Sequence, residues 1–180
     1  EDTTHVMGGA PRALLFGQIN KSKRGDYTIR KNYATDPKRN TVLIDVWFET
    51  RSPNYFHLYV YYDPSLNNSG MHDSAWTEGD ALLASDADKA SALVSSSGLD
   101  QMVNGYYGTS DGLTRLRDAA KTLPERELTN ASPVQNFRDD LNRHGSVRAA
   151  DGNVVQVAHV KRASALDRGG YIADREIAVV

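Results

Sequence analysis

Cysteine is absent from all 180 residues. That excludes a disulfide framework, a thiolate metal site and a cysteine nucleophile together. It leaves the compartment open, since a secreted bacterial enzyme and a cytoplasmic protein both fit. Charge of one sign is scarcely in excess: 21 Lys and Arg against 23 Asp and Glu leave a net −2. General affinity for nucleic acid needs a basic face, and this balance does not supply one. No apolar run approaches the ~20 residues of a membrane helix, so neither nucleic acid nor membrane is an expected partner. There is no HExxH pair. The pairs Gly8-Gly9 and Gly169-Gly170 lack the flanking pattern that cradles phosphate.

What is present suits one globular domain with a real core. Hydrophobic residues make up 39% and charged residues 24%, which excludes a disordered chain. Alternation at period two dominates. Tyr27, Ile29, Lys31 and Tyr33 fall on one face of a strand; Val42, Ile44, Val46 and Phe48 fall on one face of the next. Ala13 to Phe16, Val154 to Val160 and Ile172 to Val180 read as further strands. Ala87 to Val94 fits helix or strand. Helix formers fill Leu113 to Lys121, and Val134, Phe137 and Leu141 give a second short helix over Pro133 to His144. The expected fold is all-β: an antiparallel two-layer β-sandwich with one or two short helices.

The most informative stretch runs from Leu58 to Ser85, LYVYYDPSLNNSGMHDSAWTEGDALLAS. Leu58 to Tyr62 reads as a strand following the 27–48 meander, and Asp63-Pro64 stops it, because proline gives no amide to a ladder. Asn67 to Gly70 turns the chain. His72, Asp73, Trp76, Glu78 and Asp80 then crowd into nine residues. This spacing predicts a polar loop on the rim of the sheet, with the five side chains in one hydrogen-bonded cluster and Trp76 as its buried anchor. Two chemistries compete with that reading. Asp73 and Glu78 could act as paired carboxyls, one acid and one base or nucleophile. Asp and Asn oxygens could hold calcium, which accepts six to eight oxygens without strict geometry. No cofactor is otherwise expected. Sugar binding by stacking is open to Trp47, Trp76, Tyr59, Tyr61, Tyr106 and Tyr107, against the plainer reading that these rings pack between layers.

Several runs carry a resemblance. Tyr62 to Asp73 (YDPSLNNSGMHD), Trp76 to Ser85 (WTEGDALLAS), Asn104 to Gly112 (NGYYGTSDG), Gly152 to Ala158 (GNVVQVA) and Gly25 to Glu49 resemble the N-terminal β-sandwich domain of bacterial glucoamylases and glucodextranases, glycoside hydrolase family fifteen. The resemblance covers most of 25–118 and weakens over 119–150 and beyond 160. It implies a supersandwich, with strand over Lys89 to Ser95. It implies an exo-acting, inverting α-glucan hydrolase that releases glucose from chain ends and is secreted from a bacterium. The family's catalytic glutamates lie in a barrel of paired helices outside this chain, so no catalytic residue is implied within 1–180. A segment like Asp2-Thr3-Thr4-His5 lies well inside the family's sandwich, so the chain is expected to be one sandwich domain, incomplete at its start, from a longer enzyme. Its partners would be the catalytic domain, in the same chain or a separate one, and α-glucan. Contact with either is expected at His72, Asp73, Trp76, Glu78, Asp80, Tyr106 and Tyr107. The alternative is a free-standing carbohydrate-binding module.

Overall fold

In a computed structural model, residues 2–7, 15–52, 56–69, 72–122, 153–161 and 172–179 are described. The helix expected over 133–144 lies outside them. Four strands form an antiparallel meander: β1 (Asp2–Met7), β2 (Leu15–Lys21), β3 (Tyr27–Thr35) and β4 (Val42–Thr50). The chain continues through β5 (Tyr59–Tyr62), a short 3-10 turn at Leu66–Asn68, then β6 (Ser74–Glu78), β7 (Ala81–Asp86) and β8 (Lys89–Ser95). Next come β9 (Leu99–Tyr106), the helix α1 (Gly112–Thr122), β10 (Val154–Val160) and β11 (Ile172–Val179). An eight-stranded sheet has the order β1-β2-β3-β4-β11-β8-β7-β6, and a three-stranded sheet has the order β5-β10-β9. Every pairing is antiparallel.

One expectation of the meander is corrected. β5 does not extend the sheet beside β4, because β11 occupies that edge over Ile172↔Glu49 to Val179↔Val42. β5 crosses to the second layer and pairs with β10 through Tyr61↔Val157. Its inward side chains, Val60 and Tyr62, pack on the core between the sheets. That core joins Val46, Leu82 and Leu93 of the large sheet to Leu99, Met102, Ala158 and Val160 of the small one. The interior ladder expected for β4 is present, with Val46 buried and Ile44 packed against the cluster.

β10 is buried at all seven positions, including both faces. One face meets the core. The other is roofed by α1, whose first residue Gly112 sits on Val157; a Cβ there would approach the Val157 Cβ to 2.8 Å. This explains why β10 reads as a near-continuous apolar run and not as an alternating one. Its Gln156 side chain is fully buried, with the amide nitrogen bonded across the layers and Oε1 left without a partner. Its Nε2 donates to the Leu83 carbonyl at 3.0 Å and to Asn104 Oδ1 at 2.6 Å, and Asn104 Nδ2 donates to Thr77 Oγ1 at 3.0 Å. These bonds tie β10, β9, β7 and β6 into one polar spine and fix the register of the layers.

Candidate functional site

The polar stretch 72–80 is not a loop. Residues Ser74–Glu78 form β6 and pair with β7, from Ser74↔Ser85 to Glu78↔Ala81. Gly79-Asp80 is a two-residue turn, and Gly79 takes φ 55, the left-handed region that matches hairpin twist. The signal was present as Glu-Gly-Asp-Ala between alternating segments, a hairpin pattern outweighed by the density of polar side chains.

The hairpin disperses the five residues. Asp73 is fully buried, and its Oδ2 accepts the Leu66 amide at 3.2 Å. His72 precedes it with φ 74 and an exposed side chain. Trp76 pairs with Leu83 and shares its face; Ala75 and Ala84 are the core-facing pair, so Trp76 lies half-buried on the outer face of the large sheet. It therefore does not serve as the buried anchor expected from the sequence. Glu78 and Asp80 are exposed at the hairpin tip, where Asp80 lies 3.9 Å from Lys161 Nζ. The tight cluster expected from the spacing does not form, because alternation along β6 sends neighbours to opposite faces.

Asp73 instead staples the 3-10 turn. Ser65, Asn67 and Asn68 all adopt positive φ, and the bond to the Leu66 amide holds that turn against the hairpin. Asn67 Nδ2 donates to Asp86 Oδ2 at 2.9 Å from the other side. Burial pushes the Asp73 carboxyl above its ordinary pKa; the Leu66 amide opposes this, while Asp86 and Asp63 add to the rise. Asp73 Oδ1 has no hydrogen-bond partner, so nothing offsets its burial at that oxygen. Among the described residues, no group of three or more His, Asp or Glu is placed to hold a metal ion.

Tyr106 and Tyr107 part company. Tyr106 turns inward and packs on Ala75, Ala84 and Val154. Tyr107 is 62% exposed. The turn after them is built by Asp111. This buried carboxylate accepts the Gly108 amide at 2.7 Å, the Thr114 amide at 3.0 Å and the Thr114 hydroxyl at 2.7 Å, and so caps α1. Burial alone would raise its pKa, but these bonds win and hold it below the ordinary value. Gly105 admits no side chain, because a Cβ would strike the Ser110 carbonyl. The run NGYYGTSDG is thus a backbone device that seats α1 on the small sheet.

Register assembles two surface features that the sequence reading did not, although it named Tyr61 and Tyr107 singly. The first is a row across the outer face of the large sheet. Register aligns Leu15 with Ala34, Ala34 with Leu43, Leu43 with position 178, and position 178 with Val94. Val46 and Leu93 point into the core, so Leu43 and Val94, of opposite parity, face away from it. Leu15, Leu43 and Val94 are 46%, 43% and 37% exposed. The row crosses five strands, ~19 Å at the usual strand spacing. The second is a rim where β5, β9 and β10 converge, bearing Tyr61, Asp63, Tyr107 and Asn153.

The family model for glucodextranase, domain N, matches residues 1–168. A glucoamylase of Clostridium sp. (strain G0005) is 26% identical over 139 residues, 74% of this chain and 20% of the relative. The crystal structure of a bacterial glucoamylase complexed with acarbose matches 99% of this chain and 23% of its own, with a TM-score of 0.73 at 23% identity, which supports the two-layer fold. The chain thus spans about a fifth of each relative's length. With the match covering nearly its whole length, the chain belongs to the glucodextranase domain N family.

Proposed function

We propose that this chain is the non-catalytic β-sandwich domain of an exo-acting, inverting α-glucan hydrolase of the glucoamylase and glucodextranase type. It stabilises and positions a separate catalytic domain, a barrel of paired helices that releases glucose from chain ends. The observation that carries the docking role is the apolar row Leu15–Leu43–Val94 on the outer face of the large sheet. Aligned apolar side chains in solvent mark an interaction face. A domain that fills about a fifth of its relatives supplies the occupant: the catalytic domain of the same enzyme. Support for a non-catalytic role comes from the carboxyls. Asp73 is sealed in the interior, whereas Glu78 and Asp80 stand in solvent at a hairpin tip. A glycosidase needs two carboxyls facing each other across a substrate cleft.

The test is expression of the whole reading frame around these residues, as wild type and as Leu43→Glu/Val94→Glu. We expect a helical catalytic domain in the frame, and a melting temperature lower by several degrees in the variant. The same pair of changes in the 180-residue chain should leave its own melting almost unmoved. A frame without a catalytic domain, or equal melting of both whole enzymes, overturns the reading.

A further inference from the structure

We propose that the rim formed by Tyr61, Asp63, Tyr107, Asn153 and Arg117 is a binding site for an α-glucan chain. The inference rests on the reading above for the class of sugar, and on the following geometry for the site. Tyr61 faces outward from β5, since its neighbours Val60 and Tyr62 point into the core. It pairs with Val157, the residue on which the start of α1 sits, so Tyr61 lies beside that helix and within reach of its exposed Arg117. Tyr107 arrives from the end of β9, where its amide donates to the Asn153 carbonyl at 2.8 Å. Asn153 Nδ2 then donates to Asp63 Oδ2 at 3.2 Å. Three strand ends are thereby locked into one rim. The field at the Tyr61 hydroxyl reports the same neighbourhood: its pKa is raised, first by burial, then by Asp111, Asp63 and the Tyr107 phenol, with Arg117 opposing.

The chemistry of this rim fits a pyranose. Tyr107 and Tyr61 expose 62% and 40% of their surface, so both rings are reachable from solvent. An apolar ring face can stack on the C–H face of a sugar, and the polar groups beside it can read hydroxyls. Asp63 accepts and Arg117 donates, both from exposed side chains. The rim also differs in kind from the apolar row on the large sheet, which has no such polar groups among Leu15, Ala34, Leu43 and Val94. One surface suits a protein, the other a hydroxylated chain.

Affinity electrophoresis of the 180-residue chain through gels containing soluble starch or dextran tests this, with maltoheptaose titration as the solution measurement. We expect retardation in at least one gel; the gel that retards identifies the α-1,4 or α-1,6 linkage. Tyr107→Ala and Tyr61→Ala should each weaken binding at least tenfold, ~1.4 kcal/mol. Tyr107→Phe, which keeps the ring, should retain most of it. Melting should stay within about 2 °C of wild type for Tyr107→Ala, so that lost binding is not lost folding. Unretarded wild type in both gels, or tyrosine variants that bind like wild type, overturns the proposal. Docking to a catalytic domain is read by the melting of the whole enzyme, so failure of the sugar site leaves that result standing, and the converse holds.

Discussion

Removing the Asp111 carboxylate should cost this domain about 2–4 kcal/mol, although the residue is one short side chain in a turn. The figure follows from its partners. Asp111→Ala deletes the N-cap of α1, which by itself costs about 0.5–2 kcal/mol. It also removes the acceptor of the Gly108 amide, bonded to the carboxylate at 2.7 Å. A hydrogen bond to a charged acceptor adds about 1.5–3 kcal/mol. The loss should spread beyond the turn, because α1 is the roof over Val157. Urea unfolding followed by circular dichroism gives the number directly. The pH dependence provides an independent check. The folded carboxyl is held below its unfolded value, so its contribution is complete above the unfolded pKa, ~3.9. It is lost as pH falls through the folded value. Wild type should therefore lose more stability than Asp111→Ala on acidification from neutrality. A variant within about 0.5 kcal/mol of wild type, with a parallel pH profile, would refute the argument.

Asp73 should behave in the opposite sense. Its folded pKa is raised, so the native state binds the proton more tightly and stability falls as pH rises from the unfolded value through the folded one; Asp73→Asn should flatten that fall in thermal melts between acid and neutral pH. Gly105→Ala should cost about 1–3 kcal/mol in the same melts, because the added methyl meets backbone at Ser110, which cannot rotate away. Trp76→Ala should cost less than the about 3 kcal/mol of a buried aromatic, since the ring lies half-exposed on the outer face; a larger loss in urea titration would place the indole in a core. Purified chain incubated with starch or dextran should release no glucose, and release that survives repurification and vanishes in Asp73→Asn would contradict the non-catalytic reading.

Strands were legible wherever one face alone is buried. β3 and β4 were read as strands, and of the face read for β4, Val46 is buried and Ile44 packs on the core while Val42 at its end is exposed. Partnership was not legible. Nothing in the sequence of β4 says that its free edge belongs to β11, some 120 residues later, because an edge is chosen by the summed fit of both strands. The 72–80 stretch failed for a different reason. Polar density was weighed above alternation, yet Ala75 faces the core while Trp76 and Glu78 face away, as strand alternation requires. A charged residue at a hairpin tip looks the same in sequence as one lining a site.

That ambiguity decides how function should be sought in this chain. The runs most distinctive in sequence, 62–85 and 104–112, prove to be answers to backbone problems. Positive φ at Ser65, Asn67, Asn68 and His72 needs the Asp73 staple; the close approach of β9 to its following turn needs Gly105; the start of α1 needs Asp111. Residues committed to such tasks have few bonds left for a partner. The surfaces that remain uncommitted are a row of leucine and valine on one sheet and a tyrosine rim on the other. Single exposed apolar residues are ordinary, and although Asp63 and Tyr107 lie within those runs, only register brings each surface together. If this domain meets a catalytic barrel and a glucan chain, the variants that separate the two contacts are therefore those on β4, β8, β5 and the end of β9. Changes in the polar hairpin should alter folding first and binding only as a consequence.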